Sequence, residues 1–562
     1  MCHGGGTGVE RETIAEMLLD RVGDEHLGLR SRDRSWTWNE VVHESAARGA
    51  LAERLRTDGP FHIGVLLDND PEFVLWLGAA ALVGATIVGI NPTHRGMELE
   101  AEIRHVDCQL IVTDASGKAV LDELDLGLDD GRILVIDEPG YLHQVEQHRT
   151  EPSIAPGVDE SSLFLLLFTS GTTGRSKAVR CSQGRLSRLA HANTAKYGHT
   201  RDEVDYCCMP LYHGNALMAL WAPALRNGAT VCVTPKFSAS GFLPDVRFFG
   251  ATFFTYVGKA LGYLMATPEQ RDDAENTLER GFGTEASPED QTDFQRRFGA
   301  VLYEGYGSSE GAGSIRLDRQ APAGALGRPA HAGIVVVDPD TLQECERAVL
   351  DEHGRVINAD SAIGEMINKE GARAFEGYYK NEVADADRIR NGWYWTGDLG
   401  YVDEDGFIYF AGRKGDWIRV DGENISALLI ERIIRRFDGV LAAAVYGIPD
   451  PRSGDQVMAA IEVEDPAAFD VALLAKFVAG QPDLGAKGMP RFLRVSAHLP
   501  TTGSNKVQKK ALQAQGWTCS DLVYQWRGRG EVDFRVMSAD DKRSLEEEFA
   551  RHGRQRLMGA QS

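Results

Sequence analysis

The six residues 163–168 read Leu-Phe-Leu-Leu-Leu-Phe, and directly after them stands a polar stretch, Thr169-Ser-Gly-Thr-Thr-Gly-Arg-Ser-Lys177. A run of that length fits a strand buried on both faces that delivers a polar loop. Before it, a short strand is expected at 36–38, then a helix carrying Val41, Val42, Ala46 and Leu51 on one face. Strands are expected at 61–67, 110–114 and 133–136, with a helix at 96–105. Residues 73–90 are almost uncharged and raise a membrane question, but Gly78, Gly84 and Gly89 interrupt them and Asn91-Pro92 ends them. They read as a buried helix followed by a buried strand. The alternation of strand and helix predicts an α/β protein with a parallel sheet covered by helices. Nearer the C-terminus, 401–410 reads as a hairpin turning at Asp405-Gly406 and 425–437 as an amphipathic helix. Residues 442–447 and 456–464 read as strands of a small α+β unit, and a charged helix begins near Ser538.

The loop after the strand is where chemistry is expected. Gly171 and Gly174 let a polyanion lie against backbone N–H groups, Thr169, Ser170, Thr172 and Thr173 add donors, and Lys177 adds a positive charge. Its natural ligand is the triphosphate of a nucleotide. The Walker spacing G-x-x-x-x-G-K-[ST] is absent, so a P-loop ATPase is excluded. The chain has 562 residues, too many for one ordinary core, and two or more domains are expected. Its formal charge of -23, with no long Lys/Arg run, argues against nucleic acid as a partner. The eight cysteines show no C-x-x-C spacing, which fits a reducing compartment better than a zinc site or a disulfide frame. The first residues lack a signal peptide's basic segment and apolar core, so a cytoplasmic protein without a transmembrane segment is expected. Peripheral contact with a membrane and the oligomeric state are left open.

Four further stretches follow the loop in order: Tyr306-Gly-Ser-Ser-Glu310, Gly392-Trp-Tyr-Trp-Thr-Gly-Asp-Leu399, Gly412-Arg-Lys-Gly-Asp-Trp-Ile418 and Pro500-Thr-Thr-Gly-Ser-Asn-Lys-Val507. With the loop, these motifs resemble those of the acyl-adenylate-forming (AMP-binding) superfamily. Leu211-Tyr-His213 and Lys236-Phe-Ser-Ala-Ser240 are similar to its fatty-acid transport protein and very-long-chain acyl-CoA synthetase branch. The resemblance implies a large N-terminal domain of helix-covered β-sheets over 1–412, a hinge at 413–416 and a small mobile α+β domain with an extended tail over 417–562.

It also implies the site. The loop residues with Lys177, the segments Gly283-Thr284-Glu285 and Glu304-Gly305-Tyr306-Gly307-Ser308-Ser309, and Asp398, Arg413 and Lys506 are expected to bind ATP or AMP, with Asp398 on the ribose. Glu310 is the expected magnesium ligand, in keeping with that ion's need for few protein carboxylates beside phosphate oxygens. Lys506, Lys177 and Glu310 are expected to carry catalysis. His213, Asn215, Val257 and Gly258 should shape the acyl site, the Gly422 segment should meet coenzyme A, and Gly415 should be the hinge.

The implied reaction joins a carboxylic acid to coenzyme A at the expense of ATP, through acyl-AMP and pyrophosphate. The branch points to a long-chain or very-long-chain fatty acid, or a similarly apolar carboxylate such as a steroid side-chain acid. Two other readings compete: an adenylate-forming enzyme that loads a different thiol acceptor, and a non-catalytic lipid-transport or nucleotide-binding scaffold.

Overall fold

The apolar run forms the strand Leu163–Thr169, buried along its length, next to the end of a six-stranded sheet. The computed structural model describes residues 12–557 except 170–175, 287, 312, 314, 317, 319–320, 323, 353, 355, 414–416, 421–422, 453, 485–486, 503–505, 527–533 and 556. Across this sheet the order is Ile133–Val135, Cys108–Thr113, His62–Leu66, Thr86–Gly89, Leu163–Thr169 and Lys177–Ser182. The first five are parallel and the last runs back antiparallel. A second, seven-stranded sheet runs Val301–Glu304, Arg280–Thr284, Phe253–Val257, Val204–Cys207, Thr230–Val233, Leu27–Arg30 and Ser35–Thr37, parallel but for its last strand. Residues of both sheets and the helices between them share one large core, which includes Leu165, Leu167, Val231, Phe253 and Tyr256.

The near-uncharged segment splits as expected into the helix Pro71–Val83 and the strand Thr86–Gly89. Asp70 caps the helix by accepting from the Glu72 N–H at 2.8 Å, Pro71 occupies the first turn, and Gly84 ends it at φ 69°. Among the described residues no helix is long and apolar enough to cross a membrane.

One sheet was not anticipated, and two boundaries differ from those expected. A third sheet, antiparallel throughout, is built from Ile315–Arg316, Ala325–Pro329, Ile408–Arg413, Trp393–Val402, Gly364–Asn368 and Ile334–Val337. It forms a separate small core around Ile315, Val336, Met366 and Ile408. Of it only the 401–410 hairpin was legible. Trp38 is the first residue of a helix rather than the end of a strand, because the Thr37 hydroxyl accepts from the Glu40 N–H and caps Trp38–Leu55. Likewise Ile425 pairs with Ile418 in a hairpin, so the amphipathic helix spans only Ala427–Arg435.

The small unit is a five-stranded sheet, Ala442–Pro449, Asp455–Glu462, Phe492–Ser496, Leu522–Trp526 and Phe534–Val536. Its alternation is strict: Val445, Ala459 and Ile461 face one core with Ile430 and Ile434, while Ala444, Tyr446, Met458 and Ala460 face another. Residues beyond Lys506 complete that second core. Trp517 stacks on Phe492 and on Phe549 of the terminal helix Ala539–Arg551, so the tail is part of the domain.

Within the large core, Arg48 is 1% exposed and is tied to Glu72 at 2.5 Å and Glu44 at 2.7 Å. Tyr141 donates to Glu72 and receives the Trp76 indole N–H at 2.9 Å. Removing the guanidinium would strand the Glu72 charge. Arg48→Met should therefore cost about 3–5 kcal/mol, read as a lowered urea midpoint for the large domain. Adding Glu72→Leu should recover most of that loss.

Candidate active site

Antiparallel pairing brings Lys177 back to the end of the buried strand, where Thr169 is its register partner. Ser170, Gly171, Thr172, Thr173 and Gly174 lie outside the described residues. The Lys177 ammonium stands 5.1 Å from the ring centre of Tyr378, whose hydroxyl donates to Glu310 Oε1 at 2.7 Å. Arg388 donates to the Tyr378 oxygen at 3.1 Å and lies 3.7 Å from Glu310. Glu310 is 5% exposed, and a carboxylate that deep needs such partners. Lys177 and Glu310 thus meet through a tyrosine.

A second group forms where the antiparallel sheet borders the seven-stranded one. Asp398 lies within the strand Trp393–Val402, opposite Arg413, and not in a turn before the hairpin. Arg413 approaches its Oδ1 at 3.3 Å, and the Tyr306 hydroxyl donates to Oδ2 at 2.7 Å. Burial raises the Asp398 carboxyl above its ordinary value despite these partners. Gly283 is in register with Glu304 on neighbouring parallel strands, which brings Thr284, Glu285, Gly305 and Gly307 to one edge with Tyr306. Ser308 is hydrogen-bonded to Tyr394, and the Ser309 carbonyl accepts from the buried Arg185.

The third group faces the small domain. His213 precedes a helical turn that widens into a π-type segment, Leu217–Trp221. Burial, then nearby Lys506 and His94, lower its pKa to about 4, so the ring is neutral at pH 7. Its buried Nε2 and the Oδ1 of Asn215 have no hydrogen-bond partner among the described residues. Val257 ends the strand beside them, and Gly258 is required: a Cβ there would stand 2.0 Å from the Glu285 carbonyl oxygen. Glu285 itself takes φ 74°, a left-handed geometry rare for a side chain of its size. Its carboxylate receives Lys506 Nζ at 2.6 Å. Enclosure in the cleft works to raise the Glu285 carboxyl, but Lys506, Arg413 and Arg435 outweigh it and hold it low. Gly415 and Gly422 lie outside the described residues.

Tyr378, Arg388 and Tyr256 were not legible as site residues. Tyr378 and Arg388 lie in stretches without spacing of their own, Tyr256 stands next to the expected Val257 and Gly258, and nothing in the sequence ties any of them to residues far along the chain.

A family model for AMP-binding enzymes matches residues 20–379. The chain belongs to this family. Over its length it is 70% identical to the steroid-22-oyl-CoA synthetase of Rhodococcus jostii (strain RHA1), with 98% of this chain and 99% of that one aligned. It is 42% identical to the medium/long-chain-fatty-acid–CoA ligase FadD17 of Mycobacterium tuberculosis (strain ATCC 25618 / H37Rv), over 92% of this chain and 99% of the relative. Among solved structures, the anthranilate CoA ligase AuaEII in complex with anthranoyl-AMP superposes with a TM-score of 0.77 at 20% identity, over 89% of this chain and 96% of that one. That last likeness speaks for the fold. As an AMP-binding enzyme, the protein has the α/β architecture of a large N-terminal and a small C-terminal domain.

At the end of its strand, burial raises Glu304 from its ordinary 4.5 to about 7, against the Tyr256 hydroxyl at 2.7 Å and the Ala286 N–H at 3.1 Å. The unfolded chain loses this proton first as pH rises. Glu304 should therefore lower stability between pH 4.5 and 7, with no further change above. Melting curves across that range should slope less for Glu304→Gln than for the parent; parallel slopes would place the titration elsewhere.

Proposed function

We propose that this enzyme joins a steroid side-chain acid, or a similarly bulky apolar carboxylate, to coenzyme A at the expense of ATP. What carries the reading is the convergence of Lys506, Glu285 and the neutral His213 at one end of a cleft whose other end gathers Lys177, Tyr378 and Glu310. Near-full-length likeness to a steroid-22-oyl-CoA synthetase favours the steroid acid. The fatty-acid ligase relative supports a second reading, in which the acid is a medium- or long-chain fatty acid.

The enzyme is an AMP-forming acyl-CoA synthetase. A carboxylate oxygen attacks the α-phosphorus, the bond to pyrophosphate breaks, and acyl-AMP results. The sulfur of coenzyme A then attacks the acyl carbon, the bond to AMP breaks, and the thiol proton leaves to solvent. The first step brings an anionic acid against an anionic triphosphate. In this reading Lys506 turns from Glu285 to the substrate carboxylate and α-phosphate, offsetting their repulsion as the new bond forms. Lys177 and the loop after Thr169 hold the departing phosphates. Asp398, fixed between Tyr306 and Arg413, accepts the ribose hydroxyls. His213 and Asn215 border the acyl group, and the unpartnered His213 Nε2, as the N–H of a neutral ring, can donate to its carboxylate end.

The donors around Glu310 fit a magnesium ion: a hard carboxylate oxygen, its partner oxygen held by Tyr378, beside the phosphate end of the cleft. When bound, such an ion draws charge from the phosphate oxygens it touches. Between the two steps the small domain rotates about the 413–416 segment with Gly415 as hinge, withdrawing Lys506 and bringing the Gly422 segment toward coenzyme A. No macromolecular partner is required.

Three measurements test the proposal. A panel of steroid side-chain acids and fatty acids with ATP and coenzyme A, read as thioester by mass, should favour the steroid acids; a preference for unbranched fatty acids would favour the second reading. Lys506→Ala should nearly abolish acid-dependent pyrophosphate release while sparing thioester formation from supplied acyl-AMP. Equal losses would make Lys506 structural. Glu310→Gln keeps the acceptor for Tyr378 and removes the charge, so activity should fall about 100-fold or more with little change in melting temperature. A fully active variant would remove Glu310 from the metal site.

A further inference from the structure

Away from the residues that face substrate, the two domains meet at a buried carboxylate. Glu462 ends the strand Asp455–Glu462 of the small sheet and is 2% exposed. Its Oε1 receives the Tyr263 hydroxyl at 2.5 Å, and its Oε2 receives Lys259 Nζ at 3.1 Å. Both donors belong to the large domain and lie one turn apart on the helix Gly258–Met265. The same Oε2 accepts a second hydrogen bond, the carboxylate's third, from the Leu499 N–H of the small domain at 2.9 Å. Close approach is built in on the helix side as well, where a Cβ on Gly262 would lie 3.3 Å from the Leu441 carbonyl oxygen.

Leu499 is the root of the loop that carries Lys506. That loop is closed on itself: Thr502 N–H donates to the Lys506 carbonyl at 2.7 Å, Gln508 N–H donates to the Pro500 carbonyl at 2.8 Å, and Thr501 bridges to Val507. Fixing Leu499 therefore fixes where Lys506 stands. The helix that holds Glu462 also begins at Gly258, under the carbonyl of Glu285, the partner of Lys506. One helix thus fixes both the lysine loop and the residue that receives the lysine.

We propose that Glu462 is a positioning residue. With Lys259 and Tyr263 it clasps the small domain in the orientation in which Lys506 reaches the acid and the α-phosphate, and the clasp opens for thioester formation. This rests on the ligase reading and its two half-reactions. A paired charge suits a contact that must open in every turnover. Lys259 and Glu462 lose hydration on docking and regain it on release, so attraction and desolvation nearly offset each other. An apolar contact of the same size would hold the domain in one orientation.

Two variants change the large-domain partners, so that in them the small domain keeps its own residues, and a third changes Glu462 itself. Tyr263→Phe and Lys259→Met, with Glu462→Gln as a third variant, are assayed for acid-dependent pyrophosphate exchange and for thioester formation from supplied acyl-AMP. The first should fall about tenfold in kcat with KM for ATP little changed, and the second should hold or rise. Spin labels carried by noncanonical residues at exposed Val383 and Leu473, one on each domain, should report a second interdomain distance in the variants. Equal losses in both half-reactions with an unchanged distance distribution would overturn the proposal, and so would undiminished exchange. A parent enzyme that makes no acyl-AMP from any acid would overturn the ligase reading instead, while the distances still report on the clasp.

Discussion

Two anions have to meet in this protein's proposed reaction, and the chain that brings them together has a formal charge of -23. The structure meets that constraint by drawing a few cations from distant parts of the sequence into one cleft. Lys177 comes from the strand after the loop, Arg388 from the end of a helix beside the antiparallel sheet, Arg413 from one of that sheet's strands, and Lys506 from the small domain. Each is paired with an acidic or aromatic group where it stands. At short range in a partly dry cleft these charges outweigh a distant net charge that salt screens.

That arrangement explains why the fold is built in pieces. The two mainly parallel sheets share a core and supply strand ends at Thr169, Val257, Thr284 and Glu304 beside the candidate site. The antiparallel sheet, with its separate core, carries Asp398 and Arg413 on adjacent strands. The small domain closes its own two cores, the second with the help of the C-terminal tail, which suits the rotation proposed for it. Its meeting with the large domain is polar at Glu285–Lys506, Asp290–Arg435 and Glu462 with Lys259 and Tyr263. Polar contacts of this kind can be exchanged for water when the surfaces part.

Local order was written plainly in the chain. The buried run before Thr169, the helix and strand in 73–90, the turn at Asp405-Gly406 and the start of the charged helix near Ser538 all follow from side-chain period and turn chemistry, which act over a few residues. The motif residues were legible because they are clustered: Tyr306 and Glu310 lie in one loop, Asp398 and Arg413 in one hairpin.

Tertiary structure alone decided how those clusters join. Tyr378 meets Glu310 across 68 positions of chain, and Tyr263 meets Glu462 across 199. A lone tyrosine or glutamate carries no period that marks its partner. The third sheet was hidden for a related reason, since its strands Ile315–Arg316 and Gly364–Asn368 are short and separated by long irregular stretches. The sequence by itself determined which segments are buried and which loops are polar, because burial and turn preference are local. Which buried carboxylate faces which cation was settled only when the sheets and the small domain packed, because an ion pair depends on distance in space.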